Sequence, residues 1–217
     1  MSARFRITLL AATGATLVAF ALVALLDRPA GRSPASSSPA GASSINSPSA
    51  SGFDGAALPA RVPARGFTLT DQSGQAVSLA GYRGQVVLLA FLDSTCGGTC
   101  ILIAQQIRGA LDELPRPVPV LIVSVDPAGD TPAHIRIFLE QASLSGRVRY
   151  LTGPPAELRA LWHAYQAAPA GSSSAVQDSS AAAVLVDRRG FERVLFPLEQ
   201  LTPESLVHDI GRLRSEP

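Results

Sequence analysis

Cys96 and Cys100 are the only cysteines of the chain and the residues best suited to redox or soft-metal chemistry. They lie four residues apart in the segment STCGGTC, residues 94–100. An apolar run at residues 86–92 leads into them, and apolar residues at helical spacing follow over residues 101–114. If a helix begins near Cys96, its N-terminal amides favour a thiolate there, and Cys100 lies one turn away, within reach of a disulfide. The sequence predicts a functional dithiol at the end of a strand.

A purely structural disulfide is the alternative for this pair. Such bonds are common in oxidising compartments. A bond that closes a loop of four residues removes little entropy from the unfolded chain and so adds little stability. We therefore favour a functional role for Cys96 and Cys100.

The composition excludes several other chemistries. All 18 basic residues are arginine, so there is no lysine for Schiff-base chemistry or for a phosphate-binding loop. The sole methionine is Met1, which excludes methionine-rich copper binding. The net charge of +1 and the absence of a basic patch give no reason to expect nucleic acid as a partner.

Three histidines complete the set of candidate soft or borderline ligands. His134 lies beside the expected start of a helix, and it approaches the dithiol if the loop after Val125 lies near that site. His163 is expected to face solvent within a helix, and His208 is expected to take no part.

Asp126 and Asp130 stand where a carboxylate pair for acid–base chemistry is conceivable. A simpler interpretation is that Asp126 ends a strand while Asp130 and Thr131 cap a helix that has Pro132 at its first position. We favour the capping interpretation because it accounts for three consecutive residues at once.

The N-terminus predicts a membrane anchor. Residues 7–26 form an uncharged, mostly apolar run of bilayer-spanning length, preceded by Arg4 and Arg6. We expect residues 1–28 to be a single-pass anchor with its N-terminus in the cytoplasm, which places the remaining chain in the periplasm or outside the cell. A cleaved signal segment is the alternative.

Composition divides the rest of the chain into two parts. Residues 29–62 are rich in Ser, Pro, Ala and Gly and cannot bury much apolar surface, so we expect a disordered linker. Residues 63–217 form the folded domain.

The pattern of the domain predicts an α/β fold. Residues 67–70 and 76–79 flank a turn and predict an N-terminal hairpin. Apolar runs of strand length and segments with helical periodicity then alternate, ending in a second hairpin and a last helix. The remaining strands are expected at residues 86–92, 120–125, 149–151, 182–186 and 191–196. We expect a central mixed sheet flanked by helices.

Two motifs of the domain are distinctive, the spacing Cys96-x-x-x-Cys100 and the segment SVDPAGDTP at residues 124–132. Together they resemble the Sco/SenC family of membrane-anchored copper-handling proteins. Residues 67–89 also resemble the opening of many thioredoxin-fold proteins, and the resemblance to the Sco/SenC family runs from about Phe67 to Gly190. The resemblance implies a thioredoxin-like fold, copper as cofactor or cargo, and a role in assembling cytochrome c oxidase. It also implies a respiratory oxidase subunit or another thiol protein as partner.

One departure from the family pattern concerns its third copper ligand, a histidine in an Asp-His-Ser stretch. The corresponding stretch begins with Asp178, and Ser179 occupies the histidine position. Asp178 is either a neighbour of the dithiol or a simple loop residue. Cys96 and Cys100 carry over as copper ligands, and two thiolates can hold Cu(I) without imidazole, whereas Cu(II) would be held less well.

Three functions remain open from the sequence. The first is a tethered, extracytoplasmic protein of Sco type whose dithiol handles copper, electrons or both. The second is a thiol–disulfide oxidoreductase without metal, in which Cys96 attacks a partner disulfide and Cys100 resolves the intermediate. The third is a non-catalytic adaptor that uses the same fold as a binding surface.

Overall fold

The computed structural model describes residues 51–168 and 182–217. Within these ranges eight strands form one mixed sheet, with the spatial order β1-β8-β7-β4-β5-β6-β2-β3. The strands are β1 (Ala56–Pro63), β2 (Thr68–Asp71), β3 (Ala76–Ser78), β4 (Val87–Leu92), β5 (Val120–Ser124), β6 (Arg149–Thr152), β7 (Ala183–Val186) and β8 (Phe191–Phe196).

Strand β4, which leads to the dithiol, lies near the centre of the sheet. It pairs in parallel with β5 and antiparallel with β7, and every residue of these three strands is buried. Continuous apolar sequence suits this position because both faces of the sheet are covered. The end of β4 is therefore held on both sides by hydrogen-bonded neighbours.

Four α-helices are described. Helix α1 (Gly98–Glu113) follows β4, α2 (Pro132–Gln141) follows β5, α3 (Pro155–Ala164) follows β6, and α4 (Pro203–Ser215) ends the chain. Buried side chains of α1, α2 and α4 belong to one apolar cluster, and those of α3 belong to a second cluster with β2 and β3. The sheet thus carries an apolar core on each face.

The expected α/β class, with a mixed sheet, flanking helices and an N-terminal hairpin, is confirmed. Strands β2 and β3 form the hairpin, with Leu69 opposite Val77. The second strand of the hairpin is shorter than expected, because Leu79–Tyr82 forms a turn of 3₁₀ helix.

The linker prediction is wrong for residues 56–62, which belong to strand β1. This strand pairs antiparallel with β8 at the edge of the sheet, and most of its side chains are exposed. The carboxylate of Asp209, fully buried on α4, accepts hydrogen bonds from the amides of Asp54 (2.9 Å) and Gly55 (3.0 Å) just before β1. Backbone hydrogen bonds to β8 and to Asp209 hold this segment in place. The strand therefore forms without the alternation of apolar and polar side chains that marks a half-buried strand.

The proposed anchor, residues 1–28, lies outside the described residues, as do residues 29–50 of the linker. In the part of the chain that the structure describes, no helix combines the length and the apolar character needed to cross a membrane.

Candidate dithiol site

The two cysteines lie at the junction between strand β4 and helix α1. They are joined by a disulfide, and their Cα atoms are 5.9 Å apart. Cys96 is exposed, whereas Cys100 is only 7% exposed and packs in the apolar cluster beneath α1. The structure therefore brings the predicted pair together, with one sulfur-bearing residue facing solvent and the other facing the core.

Gly97, between the cysteines, is the residue that caps helix α1. Its φ of 77° and ψ of −139° lie in a region open to glycine and costly for other residues. Its carbonyl accepts the first helical hydrogen bond, from the amide of Ile101 at 3.2 Å. The predicted helix start is confirmed to within two residues, so Cys96 directly precedes the cap and Cys100 occupies the first turn.

The start of helix α1 provides a local positive potential for the sulfurs. The first amides of a helix have no acceptor within the helix, and the backbone dipoles add a partial positive charge there. The first turn contains no acidic residue that would neutralise this field. Both cysteines lie within one turn of that end, which favours thiolate over thiol.

Asp130 fixes the loop that leads into Cys96. Its Oδ1 accepts hydrogen bonds from the Ser94 amide (2.7 Å) and from the Ser94 hydroxyl (2.6 Å). Its Oδ2 lies 2.8 Å from the Tyr150 hydroxyl, and burial raises the pKa of this carboxyl above its ordinary value.

The expectation that Asp130 caps helix α2 is wrong, because its carboxylate binds Ser94 in the dithiol loop. The prediction that Thr131 caps this helix, with Pro132 at its first position, is confirmed, because the Thr131 hydroxyl accepts from the amide of His134 at 3.2 Å.

Asp93, which is not among the site residues predicted from the sequence, is a second buried carboxylate beside the dithiol loop. Its Oδ1 accepts from the amide of Thr95 (2.6 Å) and from the Thr95 hydroxyl (2.8 Å). Asp93 is 6% exposed, and Thr95 directly precedes Cys96. An aspartate followed by Ser and Thr at the end of a strand is a known signal for such a turn, and it is the signal from which this contact could have been found.

The loop after β5 lies beside the dithiol loop, as the His134 expectation requires. A side chain on Gly129 would place its Cβ 3.2 Å from the Thr95 hydroxyl. The exposed His134 ring donates a hydrogen bond from Nδ1 to the Gly129 carbonyl at 2.8 Å, because a carbonyl oxygen can only accept. His134 does not form a ligand cluster with the cysteines in this disulfide state. Asp126 closes the same turn, its carboxylate accepting from the Ala128 amide.

The other predicted candidates lie away from the dithiol or outside the described residues. His163 is exposed on helix α3, as expected. His208 contacts Asp209 at 2.8 Å and Asp54 at 3.4 Å, near the start of β1. Asp178 and Ser179 lie outside the described residues.

A mixed sheet with a cysteine pair between a central strand and the following helix defines a thioredoxin-like dithiol protein. The model of the SCO1/SenC family matches residues 57–215, and the chain belongs to that family. No curated protein matches the chain significantly.

Solved structures of Sco proteins share this fold. BsSco, described as having a disulfide switch and as a member of the Sco family of cytochrome c oxidase assembly proteins, is 22% identical (TM-score 0.62, covering 73% of this chain and 97% of that chain). ScoI of Bradyrhizobium japonicum, with copper bound, is 28% identical (TM-score 0.51, covering 70% and 99%). A SCO1/SenC family lipoprotein from Bacillus anthracis is 19% identical (TM-score 0.54, covering 71% and 96%).

Proposed function

We propose that Cys96 and Cys100 form a redox-active dithiol that exchanges disulfides and carries Cu(I) during the assembly of cytochrome c oxidase. The observation that supports this most directly is the exposed Cys96 and the buried Cys100, linked at the start of helix α1. Membership of the SCO1/SenC family supports the assembly role, as does the similarity to BsSco, a member of the Sco family of cytochrome c oxidase assembly proteins.

The difference in exposure between the two cysteines supports a separate step for each in disulfide exchange. The Cys96 thiolate attacks one sulfur of a partner disulfide, forms a mixed disulfide and releases the other partner sulfur as a thiolate. Cys100 then loses its proton and attacks the Cys96 sulfur, which closes the Cys96–Cys100 disulfide and releases the second partner thiolate. The protein loses two electrons and the partner gains them. Cys100 is too buried to meet a large partner directly.

The same two sulfurs fit the preference of Cu(I) for soft ligands. In the reduced state Cys96 and Cys100 would hold the ion, which is the cargo of the protein. ScoI, which has copper bound, supports this part of the proposal. Ser179 in place of the family's histidine leaves the two cysteines as the core of the donor set, and this favours Cu(I) over Cu(II).

Anaerobic titration of the reduced domain with Cu(I), against a competing chelator, tests the copper proposal. We expect one Cu(I) per chain, and at least a tenfold loss of affinity in Cys96→Ser and in Cys100→Ser, because each substitution removes a soft sulfur ligand. Thr99→Ala is the matched control, since residue 99 is exposed and lies in the same loop. Unchanged affinity in both cysteine variants would contradict copper binding at this site.

A thiol–disulfide oxidoreductase that does not use metal is the second candidate. The serine at the family's histidine position favours it, because the dithiol chemistry needs no imidazole. This function predicts full exchange activity together with no specific Cu(I) uptake. If the protein kept its wild-type function after both cysteines were replaced, the third hypothesis, a non-catalytic adaptor that binds through its surface, would be favoured instead.

We also propose that the domain is held at the outer face of the cell membrane by residues 1–28. The apolar run of residues 7–26 supports this, and residues 1–50 contain no cysteine to which a lipid could be attached. Residues 29–55 would then link the anchor to strand β1. Fractionation of membranes and protease accessibility of the domain in spheroplasts test this placement.

A further inference from the structure

Two buried carboxylates hold consecutive residues of the loop before Cys96. Asp130 binds the amide and hydroxyl of Ser94, and Asp93 binds the amide and hydroxyl of Thr95. All four distances lie between 2.6 and 2.8 Å. We call Asp93 and Asp130 with these four contacts the carboxylate clamp.

The clamp joins parts of the chain that are far apart in sequence. Asp93 follows β4, and Asp130 comes from the loop between β5 and α2. The Tyr150 hydroxyl lies 2.8 Å from Asp130 Oδ2 and 3.0 Å from the Leu92 carbonyl, which ties β6 to the same point. Contacts from β6 and from the segments that follow β4 and β5 converge here, and they restrain the backbone before Cys96.

The carboxylates are buried although they belong to residues that usually prefer water. Asp93 is 6% and Asp130 is 5% exposed. Among the described residues, no arginine forms an ion pair with either one. Their negative charge is compensated by hydrogen bonds alone. Asp93 lies three residues before Cys96 and Asp130 contacts Ser94, two residues before it, so both charges lie close to the dithiol loop.

We propose that Asp93 and Asp130 are positioning residues of the dithiol, and that their charge favours the Cys96–Cys100 disulfide over the reduced pair. This inference rests on the proposed function, because it concerns the redox equilibrium of the same two cysteines. Reduction by glutathione takes two electrons and two protons from two glutathione molecules, which leave as glutathione disulfide. The reduced product contains sulfurs that carry partial negative charge, whereas the disulfide is neutral. A nearby carboxylate therefore disfavours the reduced state and opposes the field of helix α1.

Asp130→Asn removes the charge with little change of structure. The Asn oxygen can still accept both Ser94 hydrogen bonds, and the Asn amide can donate to the Tyr150 hydroxyl. Tyr150 can then donate its own proton to the Leu92 carbonyl, which already lies 3.0 Å away. The buried Ser124 hydroxyl, which also lies beside the Asp130 carboxylate, can accept the second amide proton of Asn, so the variant tests charge rather than folding.

The experiment measures the equilibrium constant between the dithiol and glutathione at pH 7 in the purified domain without metal. We expect Asp130→Asn and Asp93→Asn each to shift the equilibrium toward the dithiol by about threefold to tenfold, where tenfold corresponds to about 30 mV.

Two controls separate charge from structure. Asp112→Asn removes the same charge from the exposed far end of helix α1, about 20 Å from its start, and should change the constant less than twofold. Ser94→Ala removes one clamp contact but no charge, and should also leave the constant within twofold of wild type.

Two results would overturn the inference. One is that the equilibrium constants of Asp130→Asn and Asp93→Asn equal the equilibrium constant of Asp112→Asn. The other is a shift in Ser94→Ala as large as that in Asp130→Asn, which would mean that the contact and not the charge sets the equilibrium. Neither result bears on copper uptake or partner exchange, so the proposed function would stand, and a failure of copper uptake would leave this measurement intact.

Discussion

Cys100→Ser is expected to stop disulfide exchange at a mixed disulfide, while Cys96→Ser prevents the first step. Cys96 is exposed at the start of helix α1 and can attack, whereas Cys100 is 7% exposed and can resolve only a neighbouring bond. With glutathione disulfide as the probe, reduced Cys100→Ser should accumulate one glutathione per chain, and the rate for Cys96→Ser should fall by at least 100-fold, an order of magnitude set by loss of the accessible thiolate. Mass spectrometry of the intact protein, recorded over time, measures the glutathione adduct in each of the two variants.

The wild-type protein provides the internal comparison for this experiment. It should pass through the mixed disulfide and end as the intramolecular disulfide, without retained glutathione. Thr99→Ala should follow the wild-type course, since it alters the same loop without removing a sulfur. Adduct formation on Cys96→Ser at the wild-type rate would reverse the assigned order of attack.

Glu192→Gln is expected to remove a large pH dependence of stability. Glu192 lies on β8 and is 7% exposed, and burial raises its pKa to about 7 from an ordinary 4.5, with the Arg65 amide opposing this effect. Between these pH values the folded protein binds more protons than the unfolded chain. The free energy of unfolding therefore falls as pH rises from about 4.5 to about 7, by about 3 kcal/mol, and this cost persists at higher pH.

Urea unfolding at several pH values measures the effect. Glu192→Gln should give a flatter profile than wild type and should be more stable than wild type at pH 8, because glutamine has no charge to bury. Glu199→Gln, at an exposed position on the segment after β8, should keep the wild-type slope. The same slope in Glu192→Gln as in wild type would show that another group controls it.

The centre of the candidate site follows from local sequence, whereas its support does not. A strand, a glycine-rich loop and a helix are contiguous in the chain, so the placement of Cys96 and Cys100 could be predicted from their own neighbours. The link from Asp130 to Ser94 joins residues brought together by the pairing of β4 with β5. Local patterns favour a cap at Asp130, and the tertiary contact with Ser94 outcompetes it.

The strands of the sheet also differ in whether local sequence predicts them. Strands such as β4 and β5 are recognisable because they are continuously apolar and buried on both faces. Strand β1 has the composition of a linker and exposed side chains, and only its pairing with β8 makes it a strand. Backbone hydrogen bonds to a distant edge carry no signature in the side-chain sequence.

The pairing of β1 with β8 also has a consequence for biosynthesis. These strands come from opposite ends of the domain, so one margin of the sheet stays open until the ribosome has made nearly the whole chain. A polypeptide that completes its architecture only at this last stage remains incompletely folded for longer during synthesis.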